Sequence, residues 1–167
     1  MIDSHSQKYF LITNKVINQK KNIVLGAGSI CGVNLARFSP DRVKRKKIRM
    51  NLGVSENHTV YLFLGRIKKE KGVLDLAKAF TKINKKYNKT ALWIVGSDED
   101  SLYSHLYKLR GVKLFDFTNT PEKYMISSDV LCLPSYREGF GNVIIEAGSC
   151  GIPAIGSDIY GLSDAID

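Results

Sequence analysis

Very little in this sequence is suited to a membrane span, a disulfide framework or a metal centre. No apolar stretch approaches the roughly 20 residues that cross a bilayer. The first residues also lack the apolar core of a secretory leader. Cysteine is scarce: Cys31, Cys132 and Cys150 are odd in number and lack metal-ligand spacing. Cys132 falls inside the apolar run Val130-Leu131-Cys132-Leu133 and reads as a small buried hydrophobe. Histidine is equally sparse, and His5, His58 and His105 stand in polar contexts that suit the surface rather than a metal. No internal repeat or low-complexity segment is evident. These absences predict a reducing cytoplasm, where the sequons at Asn57 and Asn88 never meet the glycosylation machinery.

Acidic residues are the other shortage. Sixteen Asp and Glu face 25 Lys and Arg, for a formal net charge of +9. Much of the excess lies in Arg42, Lys44, Arg45, Lys46, Lys47 and Arg49, with more at Lys68, Lys69, Lys71 and from Lys82 to Lys89. Such a balance suits nucleic acid, an anionic membrane surface, a phosphorylated ligand, or simply a solvated helix face. Nucleic acid is not expected, because no recognition motif occurs and the basic clusters lack interleaved aromatic residues. Contact with anionic lipid fits better, as a peripheral attachment to the inner face of the cell membrane. The rest of the composition, 44% hydrophobic and 25% charged, is that of an ordinary globular protein. A length of 167 residues allows one well-buried domain and is short for two.

Met1 to Lys21 is polar, with a helical patch around Tyr9, Phe10, Leu11 and Val16-Ile17. Ile23-Val24-Leu25 reads as a strand, and the glycine-rich stretch Gly26 to Gly32 follows. That stretch fails as a dinucleotide fingerprint. Cys31 replaces the third glycine of Gly-x-Gly-x-x-Gly, and Phe38-Ser39-Pro40 stops any following helix too early. Arg42 to Asn51 predicts a basic surface helix ended by Gly53. Tyr61 to Leu64 is an apolar strand closed by Gly65. Beyond Gly72, apolar residues recur at Val73, Leu76, Ala77, Phe80, Ile83 and Tyr87, the stripe of an amphipathic helix. Leu92 to Gly96 is the next strand and turn, and Leu102, Leu106 and Leu109 mark another helix. Val112 to Phe117 gives a strand, Pro121 to Ser127 a helix, Val130 to Leu133 a strand, and Ala154 begins one more. Strands alternating with helices imply an α/β fold, a Rossmann-like doubly wound parallel sheet.

The densest chemistry follows the strand at Val130. Gly139-Phe140-Gly141 forms a turn that opens a short helix from Asn142. A strand, a glycine turn and a helix start bring backbone N–H groups to an anion. Glu138 precedes the turn and Glu146 follows eight residues later, between apolar neighbours that leave a carboxylate in want of a partner. Two carboxylates bracketing an anion-binding turn suit a ligand that carries both phosphates and sugar hydroxyls. In doubly wound sheets ligands bind beyond the carboxyl ends of the strands. The corners at Gly65-Arg66, Gly96-Ser97 and Glu138-Gly139 all lie at such ends and can converge.

This segment resembles the Glu-x7-Glu motif of retaining glycosyltransferases of family 4, which have a GT-B architecture of two Rossmann-like domains. The resemblance extends through Gly151-Ile152-Pro153 and includes an upstream signature, Gly65 to Gly72. It runs roughly from Asn22 to the last residue and implies a C-terminal donor-binding domain over residues 22–167, incomplete at its end. Residues 1–21 would be the end of an N-terminal domain and the approach to the linker. The Gly26 to Gly32 stretch would be an interdomain loop beside the cleft.

The resemblance also implies roles. Arg66 and Lys71 would neutralise charge building on the leaving nucleotide diphosphate, with no metal or other cofactor required. Glu138 would lie near the transferred sugar as a stabiliser. Gly65, Gly139, Phe140 and Gly141 would present backbone to the donor, with Asn142 and Val143 beside the diphosphate. Glu146 would accept hydrogen bonds from the two ribose hydroxyls. The implied activity is sugar transfer, with retained configuration, from a nucleotide-sugar to a glycan or lipid-linked acceptor in bacterial surface-polysaccharide or lipopolysaccharide assembly. Partners would include the absent N-terminal domain, without which this chain would transfer little. A sucrose- or glycogen-synthase type enzyme and a non-catalytic nucleotide-binding module are the competing readings. Asp116, where many relatives carry glycine, leaves the preferred base open.

Overall fold

Two runs rich in β-branched and aromatic residues form the centre of the molecule, because parallel strands buried on both faces take apolar side chains throughout. The computed structural model describes residues 1–166. Strands β1 (Thr59–Leu64) and β2 (Thr90–Val95) pair in parallel with Leu62 beside Trp93, and every residue of β2 is buried. Strand β3 (Val112–Phe115) joins β2, while β4 (Val130–Leu133) lies on the other side of β1 and β5 (Ala154–Gly156) beyond it. The order is therefore β3-β2-β1-β4-β5, with every pairing parallel. The chain winds outward from β1 to β3, then returns across β1 to reach β4. Loops leaving the carboxyl ends of β1 and β4 consequently diverge and open a crevice between them.

Six helices accompany the sheet among the described residues: α1 (His5–Thr13), α2 (Arg42–Asn51), α3 (Val73–Lys86), α4 (Tyr103–Leu106), α5 (Pro121–Ser127) and α6 (Asn142–Ser149). In α3 the buried row is Val73, Ala77, Phe80 and Asn84. Asn84 closes it by donating its amide to Thr90 Oγ1 at 3.0 Å, and Tyr87, expected in the stripe, stands 55% exposed beyond the helix. Trp93, Phe115 and Tyr124 pack edge to face within the core. No helix of the described residues is long and apolar enough to cross a membrane.

Several expectations change on contact with the structure. Ile23-Val24-Leu25 is not a strand; Ile23 and Leu25 are exposed, and the segment's tie to the chain start is one bond from Ile2 N–H to the Ile23 carbonyl. Three apolar residues without a neighbouring strand have nothing to complete a ladder. The helix read through Leu109 stops at Leu106, and β3 ends two residues before Phe117. His58 is half-buried rather than exposed. The basic helix α2 has the predicted bounds, but it is not wholly a surface element. Arg49 is completely buried, and its two terminal nitrogens donate to Ser127 O (3.0 Å), Asp129 Oδ2 (3.2 Å), Ser55 O (2.9 Å) and the His58 carbonyl. Arg45 adds a 2.7 Å contact to Asp129 Oδ1, while Val60 N–H donates to Asp129 Oδ2 at 2.7 Å. The cluster ties α2 to the starts of β1 and β4. Cys132 is buried as expected, and burial pushes its thiol up to about 12.

Candidate functional site

The two loops flanking the crevice are fastened to each other before any ligand is considered. After β1, Gly65 and Arg66 lead to a single 3-10 turn at Lys69–Lys71, which Gly72 ends. Gly72 has φ 67°, and a Cβ there would lie 2.0 Å from the Pro134 carbonyl oxygen, so only glycine lets the loops meet. Across the seam Tyr136 N–H donates to Glu70 O at 2.9 Å, and the Tyr136 hydroxyl donates to Asp75 Oδ2 at 2.6 Å. Lys71 Nζ reaches Glu138 Oε1 at 2.7 Å, where the buried Ser135 hydroxyl also donates at 2.8 Å.

Beyond Glu138 the chain turns through Gly139, Phe140 and Gly141 into α6. Gly141 caps the helix in the left-handed region at φ 77°, a conformation that favours glycine. The Phe140 ring is buried beneath the glycine-rich loop: a Cβ on Gly28 would lie 2.8 Å from it. The same loop reaches α6, where Ser29 Oγ donates to Asn142 Oδ1 at 2.8 Å. Asp3 forms the opposite wall, close enough that a Cβ on Gly139 would sit 2.7 Å from its carboxylate.

These parts enclose a cleft of about 420 Å³ at the switch between β1 and β4. Gly65, Arg66, Lys71, Glu138, Gly139, Phe140, Gly141, Asn142 and Val143, all singled out from sequence, line it. A second cavity of about 270 Å³ shares Gly65 and Arg66 and continues between Gly96, Ser97 and Phe117. Behind it the Tyr103 hydroxyl, with one proton to give, lies within hydrogen-bond distance of Gly96 O (3.1 Å), Phe115 O (3.2 Å) and Asp116 Oδ1 (3.2 Å); burial first, then the Asp116 carboxylate, pushes its phenol up to about 12. Asp116 is thereby tied to Tyr103.

Arg66 lines the cleft from its rim, 54% exposed, with Glu99 at 3.7 Å and Glu70 at 4.0 Å. Glu146 lies a turn along α6, outside the lining of the larger cleft. It is half-buried, and among the described residues no donor reaches it. Burial raises its carboxyl above the ordinary range, partly offset by the Arg37 charge. No three His, Cys, Asp or Glu of the described residues cluster in a way that could hold a metal ion.

Sequence reasoning missed Asp3 and Ser135, and it singled out no residue of the Gly26 to Gly32 loop, which the resemblance did set beside the cleft and which carries Ser29. Asp3 comes from more than 100 residues away and carries no local pattern. Ser135 had a signal, since it lies three residues before Glu138 at a strand end, within reach of its side chain.

The arrangement has counterparts. The family described as "Glycosyl transferases group 1" matches residues 44–167. The capsular polysaccharide biosynthesis glycosyltransferase CapM of Staphylococcus aureus is 31% identical, over 98% of this chain and 44% of its own length. This chain thus spans less than half of that relative. HepE from Anabaena, solved in complex with UDP, superposes with a TM-score of 0.83 at 20% identity, covering 99% of this chain and 46% of its own. Sucrose-phosphate synthase from Thermosynechococcus elongatus gives 0.75 at 26% identity, covering 96% and 41%. The five-stranded parallel sheet is that of one domain of the GT-B glycosyltransferases. With its family signature loops forming one cleft and the match covering most of its length, the chain belongs to the group 1 glycosyl transferases.

Proposed function

We propose that this chain is the donor-binding domain of a retaining, family 4 glycosyltransferase of hexosyl type. It would transfer sugar from a nucleotide diphosphate donor to a glycan or lipid-linked acceptor in bacterial surface polysaccharide assembly. The observation that carries this reading is the single cleft at the β1/β4 switch point, which gathers Arg66, Lys71, Glu138 and the start of α6. Lys71, Arg66 and the first N–H groups of α6 supply positive charge where a departing diphosphate would gather negative charge. That supply makes a metal unnecessary in this reading. Glu138 stands beside Lys71 at the sugar end as a stabiliser. Glu146, half-buried and without a donor, is suited to the two ribose hydroxyls, since an ionised carboxylate only accepts. The smaller cavity then takes the base.

A cytoplasmic enzyme working on lipid-linked acceptors would meet the inner membrane face. Helix α2 suits that contact, exposing Val43 and Met50 among Arg42, Lys46 and Lys47. The likeness to sucrose-phosphate synthase supports a second reading, a sucrose- or glycogen-synthase type enzyme. HepE holds UDP in its own structure, which makes UDP the first nucleotide to try. Calorimetric titration of the chain with UDP, GDP and ADP, with Glu146→Ala as control, tests the assignment. Selective binding of one nucleotide that the variant loses is the expected result. Equal affinity in both proteins overturns the role given to Glu146.

A further inference from the structure

The cleft grips Glu138 by one oxygen. Lys71 Nζ at 2.7 Å and the Ser135 hydroxyl at 2.8 Å both reach Oε1, and no donor among the described residues reaches Oε2. The two grips differ in permanence. Lys71 is a point charge on a flexible stem, and a nucleotide diphosphate entering the cleft carries more negative charge than one carboxylate. Ser135 is fully buried and sits on the segment that Gly72 and Tyr136 clasp to the neighbouring loop, so it cannot follow a ligand. A hydroxyl donating to a carboxylate makes a charge-assisted bond, roughly twice as strong as a neutral one.

We propose that Ser135 is the positioning residue that keeps Glu138 aimed at the donor sugar when the diphosphate draws Lys71 away. The inference rests on the nucleotide-sugar reading above and deepens it. Lys71 answers to the phosphates, Ser135 holds Oε1, and Oε2 stays free as the acceptor for a sugar hydroxyl. Ser135 acts only through Glu138, so its contribution belongs to the sugar and not to the nucleotide.

The test is calorimetry on the whole chain with UDP, GDP and ADP and with UDP-glucose, GDP-mannose and ADP-glucose, comparing Ser135→Ala with the unaltered protein. The expected result is nucleotide affinity within twofold of the original and nucleotide-sugar affinity about tenfold weaker, from one lost bond to a charged group. Ser135→Cys, of similar size but a poor donor, should match Ser135→Ala, which separates the lost bond from a packing defect. Parallel losses for nucleotide and nucleotide-sugar would make Ser135 a general support of the pocket and overturn the inference while leaving the donor reading intact. Unchanged nucleotide-sugar affinity would overturn it as well. If the unaltered chain binds none of the six, the donor reading fails and this inference with it.

Discussion

Two charged clusters at opposite ends of the sheet are built on different rules. At the amino ends of β1 and β4, Arg49 and Asp129 are nearly fully paired: both terminal nitrogens of Arg49 are used twice, and Asp129 takes Arg45, Arg49 and a backbone N–H. Arg49 Nε is left without a hydrogen bond among the described residues, with Glu56 3.7 Å away. At the carboxyl ends the charges are left open. Among the described residues no donor reaches one oxygen of Glu138 or either oxygen of Glu146, and Arg66 holds its carboxylates at 3.7 and 4.0 Å. A cluster paired this fully suits holding the fold, and one left this open suits the ligand proposed for it.

The sharpest way to break this contrast is Arg49→Met. Removing Arg49 leaves the Ser127, Ser55 and His58 carbonyls without their buried donor, while Asp129 keeps Arg45 and the Val60 N–H, so the cost should be about 2–3 kcal/mol. Urea denaturation followed by Trp93 fluorescence should show that loss. A change under about 1 kcal/mol would mean the basal cluster is no more structural than the apical one.

The same contrast explains what could be read from the sequence. The core of β2, read as Leu92 to Val95 within a strand that starts at Thr90, and the glycine turn before α6 were legible because local composition dictates them. That the apical residues line one cleft was legible because they stand in two short loops at strand ends, each a few consecutive positions. Arg49 was not, since a row of Arg and Lys on a helix reads as solvated until tertiary contacts supply Ser127, Asp129 and Ser55. Ile23-Val24-Leu25 misled in the opposite direction, an apolar triplet with no strand beside it. Asp3 entered the cleft wall only through the fold, since nothing near it in sequence points to Gly139.

A smaller effect is expected from Arg66→Met. With a side chain 54% exposed and ion pairs at long range, Arg66 contributes little to folding, and the denaturation midpoint should stay within about 0.5 kcal/mol of the original. Its charge faces the place assigned to the diphosphate, so nucleotide affinity should fall about tenfold, as for one lost hydrogen bond to a charged group. Calorimetry with the nucleotide chosen by the first titration measures it. Lost stability with intact binding would reverse the roles of the two ends.

The smallest effect separates the two ends by sign. Burial holds the Glu146 carboxyl above its ordinary value of 4.5, because the ionised form is poorly solvated there. A carboxyl raised in the folded state adds stability in acid, below its unfolded value, and that stability is lost as pH rises through the folded value. At neutral pH Glu146 is therefore a burden on the fold, and Glu146→Gln should raise the thermal midpoint at pH 7.5 by a degree or two, about the scale of a few tenths of a kcal/mol. Ribose binding asks the reverse, because the ionised carboxylate is the better acceptor. Nucleotide affinity of the unaltered chain should drop in acid beginning at a higher pH than an ordinary glutamate would set, and the Gln variant should bind weakly and lack the part of the pH dependence that belongs to Glu146 rather than to the nucleotide's own phosphate. A Gln variant that is both less stable and as pH-dependent in binding as the unaltered chain would place Glu146 with Arg49, among the residues that hold the fold.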